Sequence, residues 1–121
     1  MSDVIGLPEP PPVGASALPA GTFDGVGVLV TGGGTGLGKA IATEFARLGG
    51  SIVIASRKEE HLAAGRETIE ALGAQVLTVQ CDIRQPEEIA AAFDAAAAHF
   101  GLPGVLFNIV SSYVHLPAVH M

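Results

Sequence analysis

Glycines crowd one short stretch of the chain, TGGGTGLGKA, and glycines at such spacings are used by proteins to hold phosphates. Gly33 to Lys39 match G-x-x-x-x-G-K, which is most of the phosphate-binding loop (P-loop) for ATP or GTP. Gly32, Gly36 and Gly38 match G-x-x-x-G-x-G, a turn of the kind that holds a nicotinamide dinucleotide. The same residues therefore point to two different nucleotides.

The residue after Lys39 argues against the ATP or GTP loop. That loop needs a Ser or Thr there, because the hydroxyl binds the magnesium ion, and this chain has Ala40. The strand LTVQCD ends in an Asp that could be a second magnesium ligand. The metal would nevertheless lack its first protein ligand, the hydroxyl that Ala40 does not have. We therefore favour a dinucleotide loop and keep a P-loop NTPase as the minor alternative.

Short apolar runs alternate with segments of helical period along the chain. The predicted strands are VGVLVTG from Val26, SIVIAS, AQVLTVQ and GVLFNIV. The predicted helices carry apolar stripes at Leu37, Ile41, Phe45 and Leu48, then at Leu62, Ile69 and Leu72, then at Ile89, Phe93 and Phe100. Glycines end each helix, and Pro86 begins the third one.

Strand and helix alternate three times before a final strand, which predicts a parallel sheet covered on both faces. With right-handed crossovers the strand order is 3-2-1-4. The predicted fold class is α/β, the N-terminal half of a Rossmann-type doubly wound parallel sheet. We expect a flexible proline-rich leader over residues 1–22, the dinucleotide-binding half-domain over 23–108, and an atypical tail over 109–121.

The end of the second strand indicates which dinucleotide is bound. In NAD-binding units a carboxylate there bonds the ribose 2′-hydroxyl, whereas this strand ends Ser56-Arg57-Lys58. A guanidinium can grip a 2′-phosphate through two parallel hydrogen bonds. Arg57 therefore favours NADP(H) as the cofactor; a solvated helix start is the alternative, although cations oppose the dipole there.

These residues resemble the short-chain dehydrogenases/reductases, whose T-G-x-x-x-G-x-G pattern is matched by Thr31, Gly32, Gly36 and Gly38. The stretches TGGGTGLGKAIA, VIASRKEEHL and VQCDIRQPEEI are similar to 2,4-dienoyl-CoA and related enoyl-CoA reductases, which use NADPH on acyl-CoA thioesters. The resemblance covers about residues 22–108, and it implies homo-oligomers for full-length relatives.

The resemblance implies a cofactor site spread over three loops and a strand end. Residues around the pyrophosphate and adenosine ribose would be Gly32, Thr35, Gly36, Leu37 and Gly38. Arg57 would meet the 2′-phosphate, with Ser56 and Lys58 beside it. Asp82 would accept a hydrogen bond from the adenine amino group, Ile83 would pack on the ring, and Asn108 matches the first Asn of the family's Asn-Asn-Ala-Gly. Asp82 also suits a plain turn.

The pattern stops at Asn108, which is followed by IVSSYVHLPAVHM. The family's catalytic Ser and Tyr-x-x-x-Lys do not occur: four residues after Tyr113 stands Pro117, and no lysine follows Lys58. We therefore assign no catalytic residue and expect a truncated, inactive form of a reductase, from a shifted reading frame or altered splicing. A non-catalytic NADP(H)-binding module is the alternative.

Composition excludes several other functions. A net charge of −6 with six scattered basic residues argues against a nucleic-acid surface. No apolar run approaches the roughly 20 residues needed to span a membrane. The single cysteine, Cys81, excludes an internal disulfide and a cysteine-based zinc site, and His115 and His120 lack a third metal ligand. We expect a cytoplasmic protein that binds no metal.

Overall fold

The computed structural model describes residues 6, 8–10, 12–101 and 104–108, and within them it shows a parallel sheet with helices on both faces. The strands are β1 (Gly27–Thr31), β2 (Ser51–Ser56), β3 (Val76–Gln80) and β4 (Val105–Asn108). The helices are α1 (Gly36–Arg47), α2 (Glu59–Glu70) and α3 (Pro86–Phe100). The strand order is β3-β2-β1-β4 with every pairing parallel, so the predicted fold is confirmed.

Alternate residues of the two central strands point to opposite faces of the sheet, and both faces are covered. Val28, Val30, Ile52 and Ile54 form one buried cluster with residues of α1 and α2. On the other face, Leu29, Val53 and Ala55 form a second cluster with residues of α3. Burial on both faces explains why these strands are continuous apolar runs rather than alternating ones.

The helices lie close to the sheet through small side chains. The buried residues of α1 are Gly38, Ala42 and Ala46, and those of α3 are Ala92 and Ala96. The larger residues of the predicted stripes flank these lines: Ile89, Phe93 and Phe100 are partly buried against the second cluster. In α1 and α3 the predicted stripes therefore identify the correct side of the helix but not the most buried residues, whereas in α2 the predicted Leu62 and Ile69 are themselves buried.

Two leucines of the predicted stripes are not buried. Leu37 is 67% exposed because it belongs to the first turn of α1, which projects beyond the end of the sheet. Leu72 is 44% exposed because α2 ends at Glu70, so Leu72 lies in the turn after the helix and leaves its apolar face. The prediction that Leu72 points inward was wrong.

The chain before β1 contains turns and bends but no helix or strand among its described residues. It meets the domain at Phe23, whose N–H donates to the carbonyl of Leu48 at 2.8 Å and whose ring lies 4.8 Å from that of Phe45. Residues 109–121 lie outside the described part, so the boundaries at 22 and 108 stay predictions. No described helix is both long and apolar enough to cross a membrane.

Replacing a central residue of the sheet tests this packing. Ile54 is fully buried between β2 and the α1–α2 layer, so we expect Ile54→Ala to lower the free energy of unfolding by about 2–5 kcal/mol. Leu72→Ala, the control, should cost less than about 1 kcal/mol, because Leu72 is already 44% exposed. Urea denaturation of the three chains measures both values. Equal losses for the two variants would contradict the assigned burial.

Candidate functional site

The carboxyl ends of the strands lie together at one edge of the sheet. Thr31 pairs with Ala55 and with Asn108, and Ser56 pairs with Gln80. The loops after β1, β2 and β3 all leave from this edge, and they carry the predicted site residues. In open α/β sheets the ligand crevice lies outside this edge, where the strand order reverses.

The turn from β1 into α1 folds back tightly on itself. Gly32 has φ +69°, and its N–H continues the sheet by donating to the carbonyl of Ala55 at 2.7 Å. Its own carbonyl occupies the place where a Cβ of residue 38 would stand. Gly38 is therefore required by the backbone of the turn, and α1 begins directly against the end of β1.

The first turn of α1 opens away from the protein. Gly36 has φ +53°, and a Cβ built there meets no atom within 4 Å. Thr35 caps the helix in an extended conformation, its hydroxyl makes no capping bond among the described residues, and the first turn contains no acidic residue. The first N–H groups of a helix lack intrahelical partners and, with the helix dipole, attract anions. A pyrophosphate fits this position.

The two middle glycines serve packing. A Cβ on Gly33 would lie 2.5 Å from Cγ2 of Ile54, and one on Gly34 would overlap the backbone carbonyl of His61 in α2. Gly65 of α2 lies against the same turn: its Cβ would lie 3.1 Å from Cα of Gly34. Sequence reasoning missed these roles, although a glycine inside a helix, where it costs stability, is a signal of close packing.

The turn from β2 into α2 carries two exposed cationic side chains. Arg57 has no ion-pair partner among the described residues, and Lys58 is the residue that precedes the first turn of α2. Ser56 is half-buried, and its hydroxyl accepts a hydrogen bond from the N–H of Lys58 at 3.3 Å. The acidic residues Glu59 and Glu60 lie inside the helix, where they suit its positive end.

The loop after β3 is organised around Asp82. The guanidinium of Arg84 binds both carboxylate oxygens of Asp82, at 3.0 and 2.8 Å, and the N–H of Arg84 donates to the same carboxylate at 2.9 Å. The N–H of Asp82 donates to the carboxylate of Glu88 in α3 at 3.2 Å. The sequence analysis predicted neither the Arg84–Asp82 pair nor the contact of Asp82 with Glu88.

These contacts hold Asp82 in its ionised form. The hydrogen bonds from Arg84 lower the pKa of Asp82 to about 2, and the charges of Arg84 and Arg57 act in the same direction. The thiol of the neighbouring Cys81 is buried, and burial together with the carboxylates of Glu88 and Asp82 raises its pKa. Asp82 is therefore a fixed hydrogen-bond acceptor, whereas Cys81 is held as an unreactive thiol.

Most of the predicted site residues are thus brought to one edge. Gly32, Thr35, Gly36, Leu37 and Gly38 surround the start of α1, Ser56, Arg57 and Lys58 follow β2, and Asp82 and half-buried Ile83 follow β3. Asn108 ends β4 beside Thr31, and its side chain lies outside the described part. In that part no cluster of three or more His, Cys, Asp or Glu could hold a metal ion.

A parallel α/β sheet with a glycine turn, an open helix start and a cationic turn at its carboxyl edge defines a dinucleotide-binding unit. Comparison with known proteins identifies its family: residues 27–118 match the family model described as short chain dehydrogenase. The chain belongs to the short-chain dehydrogenase/reductase family. The family binds nicotinamide dinucleotides, so the ATP or GTP interpretation of the glycine loop is rejected.

Individual relatives support this assignment. A probable 2,4-dienoyl-CoA reductase of Caenorhabditis elegans is 46% identical over 90 residues, which is 73% of this chain and 29% of that protein. A Burkholderia phymatum family member solved with NAD has a TM-score of 0.67 at 38% identity, covering 69% of this chain and 30% of the other. L-sorbose reductase of Gluconobacter frateurii, solved with NADPH and L-sorbose, has a TM-score of 0.73 at 29% identity. The match covers 82% of this chain and 38% of that protein.

This chain therefore spans about a third of the length of the relatives that it matches. Two of the solved structures contain different dinucleotides, NAD in one and NADPH in the other. Family membership thus establishes the family's α/β fold, and the dinucleotide that family members bind differs between these two structures.

Removal of Arg84 tests the electrostatics of the loop after β3. In Arg84→Met we expect the pKa of Asp82 to rise from about 2 toward the ordinary value of about 3.9. Because the folded-state pKa is the lower one, the ion pair stabilises the fold at neutral pH, and this contribution is lost as the pH falls through the acidic range toward the folded-state pKa.

NMR titration of the Asp82 carboxyl carbon measures the shift. Arg66→Met is the control, because Arg66 pairs with Glu70 in α2 and not with Asp82. An unchanged midpoint for Asp82 in Arg84→Met would show that Arg84 does not hold this carboxylate in solution.

Proposed function

We propose that this chain supplies the adenosine side of an NADP(H) site in a reductase that acts on enoyl- or dienoyl-CoA thioesters. The observation that carries the proposal is the exposed guanidinium of Arg57 at the carboxyl end of β2, where NAD-binding units place a carboxylate. When bound, NADP(H) supplies or accepts a hydride. The residues of this chain bind and orient it.

The pyrophosphate would lie at the open start of α1, against the N–H groups near Gly36 and Leu37. The space there and the absence of acidic residues from that first turn both support this placement. Leu37 would then cover the phosphates with an apolar side chain, which explains the high exposure of a leucine at this position.

The 2′-phosphate would be held by Arg57, with Lys58 and the hydroxyl of Ser56 beside it. Arg84 is occupied by Asp82, whereas Arg57 has no ion-pair partner among the described residues. A free guanidinium binds a phosphate without first breaking another ion pair. The adenine amino group would donate to Asp82, which stays ionised throughout the neutral range.

The substrate class rests on similarity. The probable 2,4-dienoyl-CoA reductase of C. elegans is 46% identical to this chain over 90 residues, and the match covers 29% of that protein. In a full-length relative the acyl-CoA thioester would meet residues beyond β4. We also propose a cytoplasmic location, because the single cysteine, Cys81, is a free and buried thiol, as is usual in a reducing compartment.

A second candidate function is a non-catalytic NADP(H)-binding module. The observation that favours it is that the described residues already bring together the glycine turn, the open start of α1 and the Arg57 turn, which is the part of the site proposed to bind the dinucleotide. Both candidates require the same cofactor site, and they differ in whether the bound dinucleotide is used.

Loss of Arg57 tests the cofactor preference. We expect Arg57→Ala to weaken NADPH binding about 10- to 100-fold, because hydrogen bonds to a charged group contribute about 1.5–3 kcal/mol. NADH binding should change less than about twofold, since NADH has no 2′-phosphate for the side chain to meet. Calorimetric titration measures both dissociation constants, and Arg66→Ala in α2 is the matched control. Equal weakening of both cofactors would contradict the assignment.

A turnover assay separates the two candidate functions. We expect the 121-residue chain to bind NADPH but not to consume it in the presence of a 2,4-dienoyl-CoA or enoyl-CoA, because its residues offer no tyrosine–lysine pair to move the proton. Loss of NADPH absorbance is the measurement, with a full-length dienoyl-CoA reductase as the positive control. Steady, substrate-dependent consumption would show that the chain itself is a reductase.

A further inference from the structure

Gln80 is the last residue of β3, and its side chain reaches back to the neighbouring turn. In the sheet it pairs with Ser56, the last residue of β2. Its side-chain nitrogen, Nε2, donates a hydrogen bond to the backbone carbonyl of Arg57 at 3.1 Å. The amide thus links the end of β3 to the turn that carries the proposed phosphate-binding residue.

The other carbonyls of this turn are bound by the backbone. The carbonyl of Ser56 receives the N–H of Cys81 at 2.9 Å, and that of Lys58 receives the N–H of His61 at 3.1 Å. The Arg57 carbonyl lies between them, after β2 ends and before α2 begins. Within the described residues, neither the backbone hydrogen bonds of the sheet nor those of the helix supply a donor to it. The side chain of Gln80 supplies it, so the peptide that follows Arg57 is held by a contact outside both regular elements.

The direction of the Arg57 side chain depends on this peptide. The guanidinium is exposed and forms no direct ion pair among the described residues, and its charge interacts with Asp82 without a bond between them. Fixing the backbone from which a long side chain projects reduces the conformational freedom that binding must remove. A phosphate held by two parallel bonds is sensitive to such changes in direction.

We propose that Gln80 is a positioning residue that sets the preference for NADP(H) by holding the Arg57 carbonyl. This inference rests on the proposed role of Arg57 toward the 2′-phosphate. Gln80 acts through the turn and not by touching the cofactor. The affinity for NADH, which lacks the 2′-phosphate, should therefore not depend on Gln80.

Gln80→Met tests the proposal, because methionine keeps the length of the side chain and removes the donor. Gln75→Met is the matched control: Gln75 is also exposed and precedes the opposite end of the same strand. The probes are NADPH and NADH, together with 2′,5′-ADP and 5′-AMP, which present the adenosine half with and without the 2′-phosphate. Calorimetry gives the dissociation constants, and circular dichroism with thermal unfolding confirms that each variant is folded.

We expect Gln80→Met to weaken binding of NADPH and 2′,5′-ADP about three- to tenfold, which is the loss of one modest hydrogen bond. Binding of NADH and 5′-AMP, and all binding by Gln75→Met, should stay within about twofold of the original chain. In an Arg57→Ala background the Gln80 substitution should have no further effect, because the residue through which it acts is gone.

The outcomes separate the two proposals. If Arg57→Ala leaves the ratio of the NADPH and NADH constants unchanged, the proposed 2′-phosphate site is wrong, and this inference falls with it. If Arg57→Ala changes the ratio but Gln80→Met does not, only the inference about Gln80 is overturned. Equal weakening of both cofactors by Gln80→Met overturns it as well, as does weakening that persists in the Arg57→Ala background, which would indicate direct contact.

Discussion

The carbonyl oxygen of Gly32 lies where any other residue at position 38 would place its Cβ, and the candidate cofactor site depends on this close contact. The chain must reverse from strand to helix within four residues, so that the start of α1 lies at the sheet edge with its N–H groups facing outward. A side chain at position 38 would push the helix away from β1. The charge of the helix start would then no longer be directed at the place where a pyrophosphate can approach.

The same lack of side chains brings the second helix into position. Gly34 lies against the backbone of His61, and Gly65 lies against Gly34 and Ile54, so α2 packs on the turn itself as well as on the sheet. Because α2 follows directly from Arg57 and Lys58, its location determines where those cations stand relative to the start of α1. The glycines at positions 33 and 34 would therefore affect the proposed 2′-phosphate end of the site through the placement of α2.

The sequence allowed the fold and the loops of the site to be predicted because both follow from local signals. Apolar runs such as SIVIAS, and glycines at Gly32, Gly36 and Gly38, report strand, turn and helix directly. One failure concerns the end of a helix, and the other concerns a contact between distant segments. Leu72 leaves the apolar face because α2 ends two residues earlier than its periodicity suggests, and Gln80 reaches a carbonyl 23 positions earlier in the chain. Periodicity and motif spacing contain no information about such contacts, which depend on strand register.

The two arginines at the carboxyl edge, Arg57 and Arg84, differ in whether they form an ion pair. Arg57 and Arg84 both act on the charge of Asp82, but only Arg84 binds its carboxylate directly. The pairing neutralises one guanidinium and fixes the carboxylate, whereas Arg57 and Lys58 on the β2–α2 turn form no ion pair among the described residues. In a chain with a net charge of −6, a phosphate approaching the edge meets its favourable charge at Arg57 and Lys58, beside the turn that Gln80 holds. A carboxylate placed on that turn would both repel the phosphate and compete for Arg57, and this is the physical reason for proposing that the turn selects the cofactor.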